Sequence, residues 1–278
     1  MQWGQRLSAA TRTVRRTWTS SPPLALPLVT VFLVGGGPDT LSTADLLDPF
    51  GAEMASHARR RGRKPRLAVA VFDHGGSGEH FLPEYVDALT VEGPLEVLPV
   101  YLRRGDTVDP APFADVDGIV VGGGPTPDYL TGLAASGDTI RTAVTDGVPY
   151  LGFSAGAMVA ARRALVGGHR LGRQEVCPED WSEGLAQLTL RDGLGLVETT
   201  VDVHTAQAGT LGRTVALVES GRVSDAVGID EDTCLTIGTA EQTQGTSAVT
   251  GSGSAWFVRA AQTGSAVVIR RGSAATPA

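Results

Sequence analysis

At 278 residues the chain is long enough to bury a substantial core, and 42% hydrophobic against 19% charged residues separates it from disordered and fibrous sequences. A formal charge of -7 opposes nucleic-acid phosphates, and the one basic run, Arg59, Arg60, Arg61, Arg63 and Lys64, has no interleaved aromatics, so it reads as a solvated helix end and no nucleic-acid partner is expected. Cys177 and Cys234 are far apart and lack metal-ligand or redox spacing; no metal and no cofactor is expected, and the expected setting is reducing and cytoplasmic.

Along the chain, Arg12, Arg15 and Arg16 precede an apolar run from Leu24 to Val34 that imitates a secretory leader. Pro22, Pro23 and Pro27 interrupt that run, and it ends in Gly35-Gly36-Gly37 where a small-residue cleavage site would be required. No stretch approaches the ~20 apolar residues of a membrane span, so no membrane association is expected. Residues 1–22 are predicted to be a loose tail, 23–272 one α/β hydrolase domain and 273–278 a second tail.

Short apolar runs at 28–34, 66–72, 95–101, 118–121 and 149–153 read as strands buried on both faces, the pattern of a parallel sheet. Helical segments are predicted at 46–61, 82–91, 129–146 and 155–165. The alternation predicts an α/β fold: three layers, a mostly parallel sheet with helices on both faces. Beyond residue 190 the pattern changes to shorter strands at 227–229, 234–237, 255–260 and 265–269, with one helix near 210–220.

Gly152-Phe153-Ser154-Ala155-Gly156 follows one predicted strand and opens an Ala-rich segment. Glycines on both sides of a serine permit a tight strand-to-helix turn that exposes the hydroxyl, while the free N–H groups after it face developing negative charge. A plain small-residue turn is the alternative, and the strand–turn–helix context favours the nucleophile. A serine needs a base, and the five histidines are His57, His74, His80, His169 and His204. His57, on a basic helix, and His169, in a glycine turn, read as solvated bystanders. His204 ends the alternating segment Thr200-Val201-Asp202-Val203-His204, a strand end suited to a site. Gly228-Ile229-Asp230-Glu231-Asp232 supplies three adjacent carboxylates at another strand end. The cluster Gly122-Gly123-Gly124-Pro125-Thr126 has no phosphate-loop spacing, so it reads as a close-approach backbone beside Ser154. Asp73-His74-Gly75-Gly76-Ser77-Gly78 is a rival oxyanion loop, similar to the His-Gly-Gly loop of esterases.

Taken in order, Gly35-Gly36-Gly37, Gly122-Gly123-Gly124, Ser154-Ala155-Gly156-Ala157, Gly193-Leu194-Gly195-Leu196, Asp202 with His204, Leu211-Gly212-Arg213 and Gly228-Ile229-Asp230-Glu231-Asp232-Thr233 resemble the cyanophycinase and peptidase E family of serine peptidases. The match runs from about residue 28 to 270, and its later half is closer to cyanophycinases. The resemblance implies a class I glutamine amidotransferase-like (flavodoxin-like) sheet, with Ser154 as nucleophile, His204 as general base and Glu231, or its neighbour Asp230, as the orienting acid. It also implies an oxyanion site at the backbone of Ala155 and of Gly123 or Gly124, and a substrate pocket with Asp202, Arg213, Pro125 and Thr126.

Departures from the family pattern bear on the substrate. Cyanophycinases read Asp-Gln-His-Phe where this chain has Asp202-Val203-His204-Thr205; their following arginines are Ala208 and Thr210 here, and only Arg213 is kept. Their Gly-Gly-Asp-Gln loop is Gly123-Gly124-Pro125. Lost charged donors change what binds more than how it is cut. The expected activity is therefore serine-dependent cleavage of an amide or isopeptide bond in a small β-aspartyl-type or modified peptide, with cyanophycin itself not the substrate; a homodimer is left open. Two alternatives stand: an esterase using the His74 loop with Asp180 or Asp192 as acid, and an inert binding scaffold of the same fold.

Overall fold

The computed structural model describes residues 30–43, 45–91, 93–238, 247–261 and 265–273. The predicted tail 1–22, the segment 23–29 with the start of the first predicted strand, and nearly all of the predicted tail 273–278 lie outside them.

In chain order the strands are β1 (Thr30–Val34), β2 (Arg66–Phe72), β3 (Glu96–Leu102), β4 (Gly118–Val121), β5 (Tyr150–Phe153), β6 (Arg163–Gly167), β7 (Arg170–Leu171), β8 (Gln174–Glu175), β9 (Thr189–Asp192), β10 (Thr200–Val203), β11 (Asp225–Ile229), β12 (Thr233–Gly238), β13 (Ser247–Gly251), β14 (Ser254–Ala260) and β15 (Ala266–Gly272). The α-helices are α1 (Asp48–Arg60), α2 (Gly78–Asp87), α3 (Ala111–Ala114), α4 (Thr126–Gly132), α5 (Gly137–Thr145), α6 (Ala155–Val159), α7 (Thr205–Ala208) and α8 (Leu211–Glu219).

The main sheet has the order β13-β12-β1-β5-β4-β2-β3. Its β1, β5, β4, β2 and β3 are mutually parallel, and β12 and β13 extend one edge antiparallel. All five residues of β1 are buried because successive side chains point to opposite faces and both faces are covered. Val31 and Leu33 enter one core with α4, α5 and α6, while Phe32 and Val34 enter the other with Phe50 and Met54 of α1 and Tyr85 of α2. The same division separates Ala68 and Ala70 of β2 from Leu67, Val69 and Val71. This is the predicted three-layer α/β architecture. A second sheet, β10-β11-β14-β15, is built from strands of the C-terminal third, with α8 packed on β11 and β14.

Several predicted elements are displaced. The helix predicted at 82–91 is Gly78–Asp87 and contains Pro83 within it. The one predicted at 129–146 is divided between α4 and α5 by a short 3-10 turn at Ala134–Ser136. The one predicted at 155–165 stops at Val159, and Arg163–Gly167 instead pairs antiparallel with Thr189–Asp192.

The two histidines read as solvated are buried. His57 is 7% exposed because its Nδ1 meets the Asp117 carboxylate at 2.9 Å. The same carboxylate accepts from the Arg63 side chain and the Arg66 backbone. Part of the basic run therefore serves to neutralise Asp117 and Asp115 at the N-terminal ends of β2 and β4. His169 is 4% exposed, with its N–H donated to the Ala186 carbonyl and its own carbonyl accepting from the Val176 N–H.

Candidate active site

The parallel strands β2, β4 and β5 end at one edge of the sheet, and the chain turns sharply after β5. Ser154 sits in that turn with φ 48° and ψ −109°, a conformation rarely populated outside glycine. Local crowding requires the flanking glycines: a Cβ on Gly152 would lie 2.5 Å from the Gly156 backbone, and one on Gly156 2.1 Å from the Val121 carbonyl oxygen. The Ser154 N–H is donated to the Val34 carbonyl and the Gly156 N–H to the Gly122 carbonyl, which ties the turn to β1 and β4.

His204 follows β10 with φ 51°, and its N–H is donated to the Gly35 carbonyl beyond β1. That places its Nε2 2.9 Å from Ser154 Oγ. Its Nδ1 is 2.7 Å from Glu231 Oε1. The Gly35-Gly36 pair lets the acid loop approach this closely: a Cβ on Gly35 would lie 2.1 Å from the Asp230 carbonyl oxygen, and one on Gly36 3.2 Å from Glu231 Cγ. Ser154, His204 and Glu231 thus form one hydrogen-bonded row assembled from β5, β10 and β11, as a hydroxyl, its base and the orienting acid require.

Asp230 has different work. Its carboxylate accepts from the Ala206 N–H, the Ser254 N–H and the Trp256 Nε1–H, which ties α7 to β14. The acid beside His204 is Glu231. On its other side Asp232 accepts from the backbone and hydroxyl groups of Ser42 and Thr43 and from Ser252 Oγ. Burial alone would raise the Asp232 pKa, but the hydrogen bonds from Ser42, Ser252 and Thr43 hold it well below the usual carboxylate range. A folded-state pKa below the unfolded one gives stability that is present at neutral pH and lost as pH falls through the ordinary carboxyl range and below. Asp232→Ala should therefore destabilise the protein by about 3 kcal/mol at pH 7, with a gap to the parent that narrows below about pH 4. Urea titrations of both proteins at pH 7 and pH 3.5 check this; a gap equal at the two values would contradict it.

At the predicted oxyanion loop the structure distinguishes two glycines that the sequence left equivalent. The Gly123 N–H is donated to Tyr85 Oη at 2.8 Å, and the Gly123 carbonyl accepts from Tyr129 Oη at 3.0 Å. The N–H groups of Gly124 and Ala155 have no acceptor among the described residues. The expected donor at Gly123 is therefore already used, because Tyr85 reaches it from α2, and the pair with free N–H groups is Gly124 and Ala155. Gly124 needs its φ of 145°, and a Cβ there would press on Tyr129 and Phe72.

The structure does not place all predicted pocket residues where a substrate can touch them. Arg213 and Asp202 are 3% and 1% exposed and bonded to each other, with Thr214 Oγ1 and the Val203 N–H completing the carboxylate's partners. Arg213 Nη1 is donated to the Trp181 carbonyl. Both side chains face inward. Thr126 is likewise buried, its N–H and Oγ1 donated to Glu183 Oε1, and Pro125 stands at the turn into α4.

Trp181 carries a contact that the sequence reading missed. Its ring centroid is 5.1 Å from that of His204, at an interplanar angle of 33°, and the residue is 42% exposed. The segment 181–183 thus touches both His204, through Trp181, and the loop after Gly124, through Glu183. Its one sequence signal is an isolated tryptophan between acidic residues in Glu179-Asp180-Trp181-Ser182-Glu183. The esterase alternative loses its acid, since His204 Nδ1 is held by Glu231, while Asp192 is 91% exposed and pairs with Arg163. Its His74 loop lies at the end of β2, two strands from Ser154.

Cys177 and Cys234 are free and buried, and no group of three or more potential metal ligands occurs among the described residues. No helix among them is long and apolar enough to cross a membrane.

No curated protein sequence matches the chain. Among solved structures, that of a peptidase from an acI-B1 actinobacterium superposes with a TM-score of 0.61 at 18% identity, covering 89% of this chain and 96% of that one, a likeness of fold. A putative peptidase E protein from Listeria monocytogenes EGD-e superposes with a TM-score of 0.49 at 14% identity, covering 80% and 98%. The family model of peptidase family S51 matches residues 96–244, more than half of the chain and a span that contains Ser154, His204 and Glu231. The chain belongs to peptidase family S51.

Proposed function

We propose that this peptidase is a serine hydrolase that cuts an amide or isopeptide bond of a small peptide through an acyl-enzyme. The observation that carries the reading is the row Ser154 Oγ, His204 Nε2 and Nδ1, Glu231 Oε1, with links of 2.9 and 2.7 Å. In attack, Oγ bonds to the scissile carbonyl carbon while its proton passes to His204 Nε2. The carbonyl oxygen becomes an anion facing the Gly124 and Ala155 N–H groups, each such donor being worth ~100 to 1,000-fold in rate. Collapse breaks the C–N bond, and the proton on Nε2 leaves with the amine. Water then repeats the sequence on the ester, releasing the acid and restoring the Ser154 hydroxyl. Glu231 keeps the imidazole oriented and balances its transient positive charge.

Two features favour a small peptide other than cyanophycin. The Arg213 guanidinium is buried and bonded to Asp202, and Ala208 and Thr210 offer no charge to grip an arginine-rich polymer. Trp181 over His204 narrows the approach to the base. Mass-spectrometric hydrolysis of a panel of β-aspartyl, α-aspartyl and modified dipeptides tests the substrate class. At least one β-aspartyl or modified member should be cleaved by the parent and left intact by Ser154→Ala. Cleavage of such a member by both proteins would sink the serine mechanism, and cleavage of α-aspartyl members alone would overturn the substrate class.

A further inference from the structure

A cleft of about 430 Å³ opens at the ends of β2 and β3, lined by Phe72, Asp73, His74, Gly76, Arg103 and Arg104. The catalytic row does not use it, yet it shares a wall with the oxyanion loop. A Cβ on Gly124 would lie 3.3 Å from Phe72 Cβ, and the Phe72 N–H is donated to Tyr129 Oη, the hydroxyl that also holds the Gly123 carbonyl.

Sheet register fixes the separation. Gly152 of β5 is level with Val121 of β4, and Val121 with Ala70 of β2, so Ser154 and Phe72 each stand two residues beyond that level. With one strand between β5 and β2, the lateral distance is two ladder spacings, about 10 Å.

Each cleft arginine is paired with one carboxylate through Nε, which leaves its two Nη groups directed elsewhere. Asp73 spends one oxygen on the Gly76 and Gly78 N–H groups and the other on Arg103 Nε. Arg104 meets Asp128 through Nε. Nη1 and Nη2 of both arginines have no acceptor among the described residues, and their side chains are 65% and 75% exposed. Two guanidinium groups with free forked donors, beside an exposed imidazole, suit a planar carboxylate.

We infer that the Arg103–Arg104 cleft is a subsite for a carboxylate carried by the substrate about 10 Å from the scissile carbonyl, that is, two to three residues along an extended peptide. The catalytic part of this inference rests on the serine-hydrolase reading; the binding part does not.

The test separates the two. Calorimetric titration of the Ser154→Ala protein with C-terminally amidated alanine hexapeptides carrying one Asp, and with their Asn counterparts, reads binding without turnover. The Asp peptide should bind at least tenfold more tightly than the Asn peptide, and Arg103→Gln with Arg104→Gln should reduce that ratio to within twofold. Raising sodium chloride from 50 to 500 mM should weaken the Asp peptide selectively, a readout that needs no variant of the cleft. Equal binding of Asp and Asn peptides, or a preference that survives both Arg substitutions, would overturn the subsite. If the parent cleaves the Asp hexapeptide, cuts should fall two to three residues from Asp; cuts unrelated to its position would overturn the spacing. An Asp preference in binding with no serine-dependent cleavage of any peptide would uphold the cleft and reject the hydrolase reading.

Discussion

Ser154→Ala should lower kcat by about 10⁵ to 10⁶-fold on whichever panel peptide the parent cleaves, with the fold retained. Ser154→Gly should be equally inactive and should melt higher than Ser154→Ala. Both variants lose the hydroxyl and its bond to His204, but only glycine relaxes a residue held at φ 48°, ψ −109°. Such strain costs of order 1–3 kcal/mol, and the extra unfolded-state freedom of glycine offsets roughly 0.5–1 kcal/mol of the relief. A difference of about 1 kcal/mol corresponds to roughly 2–4 °C in melting temperature for a domain of this size. Calorimetric scans of the two variants measure it directly. Equal melting temperatures would mean that the turn carries no such strain.

Glu231→Gln should lower kcat by roughly 10³ to 10⁴-fold with little change in KM. The amide is isosteric and can still accept from Nδ1–H, so the ring stays near its place, but no charge remains to balance the imidazolium that forms as Ser154 attacks. Asp230 cannot substitute, because its oxygens are occupied by the Ala206 and Ser254 N–H groups and the Trp256 ring. Steady-state kinetics on the best panel substrate decides; a loss below tenfold would remove Glu231 from its role.

The parts of this molecule that were legible in its sequence are those fixed by local chemistry. Strands β2 and β4 match their apolar runs to the residue, since a strand buried on both faces must be apolar throughout. The need for Gly152 was legible because its crowding comes from Gly156, four residues on, whereas Gly156 is crowded by the distant Val121 carbonyl. What was hidden depends on distant partners. Nothing near Gly123 announces that Tyr85, 38 residues earlier, takes its N–H. Nothing near His57 announces Asp117. Arg213 was legible as a charge in the right motif, and only the packing of Asp202 and Trp181 around it shows that it faces inward. The Ala-rich segment after Ser154 has high helix propensity, but pairing of Arg163–Gly167 with Thr189–Asp192 overrides it. Helix α2 carries Pro83 within it and lies four residues earlier than the predicted helix.

The central claim is that Ser154 is a nucleophile activated by His204, and a fluorophosphonate probe read by peptide mass mapping tests it without knowledge of the substrate. The folded parent should carry one label, on Ser154, and His204→Ala should slow that labelling at least a hundredfold. A folded parent that takes no label at Ser154, or labelling indifferent to His204, would contradict the account.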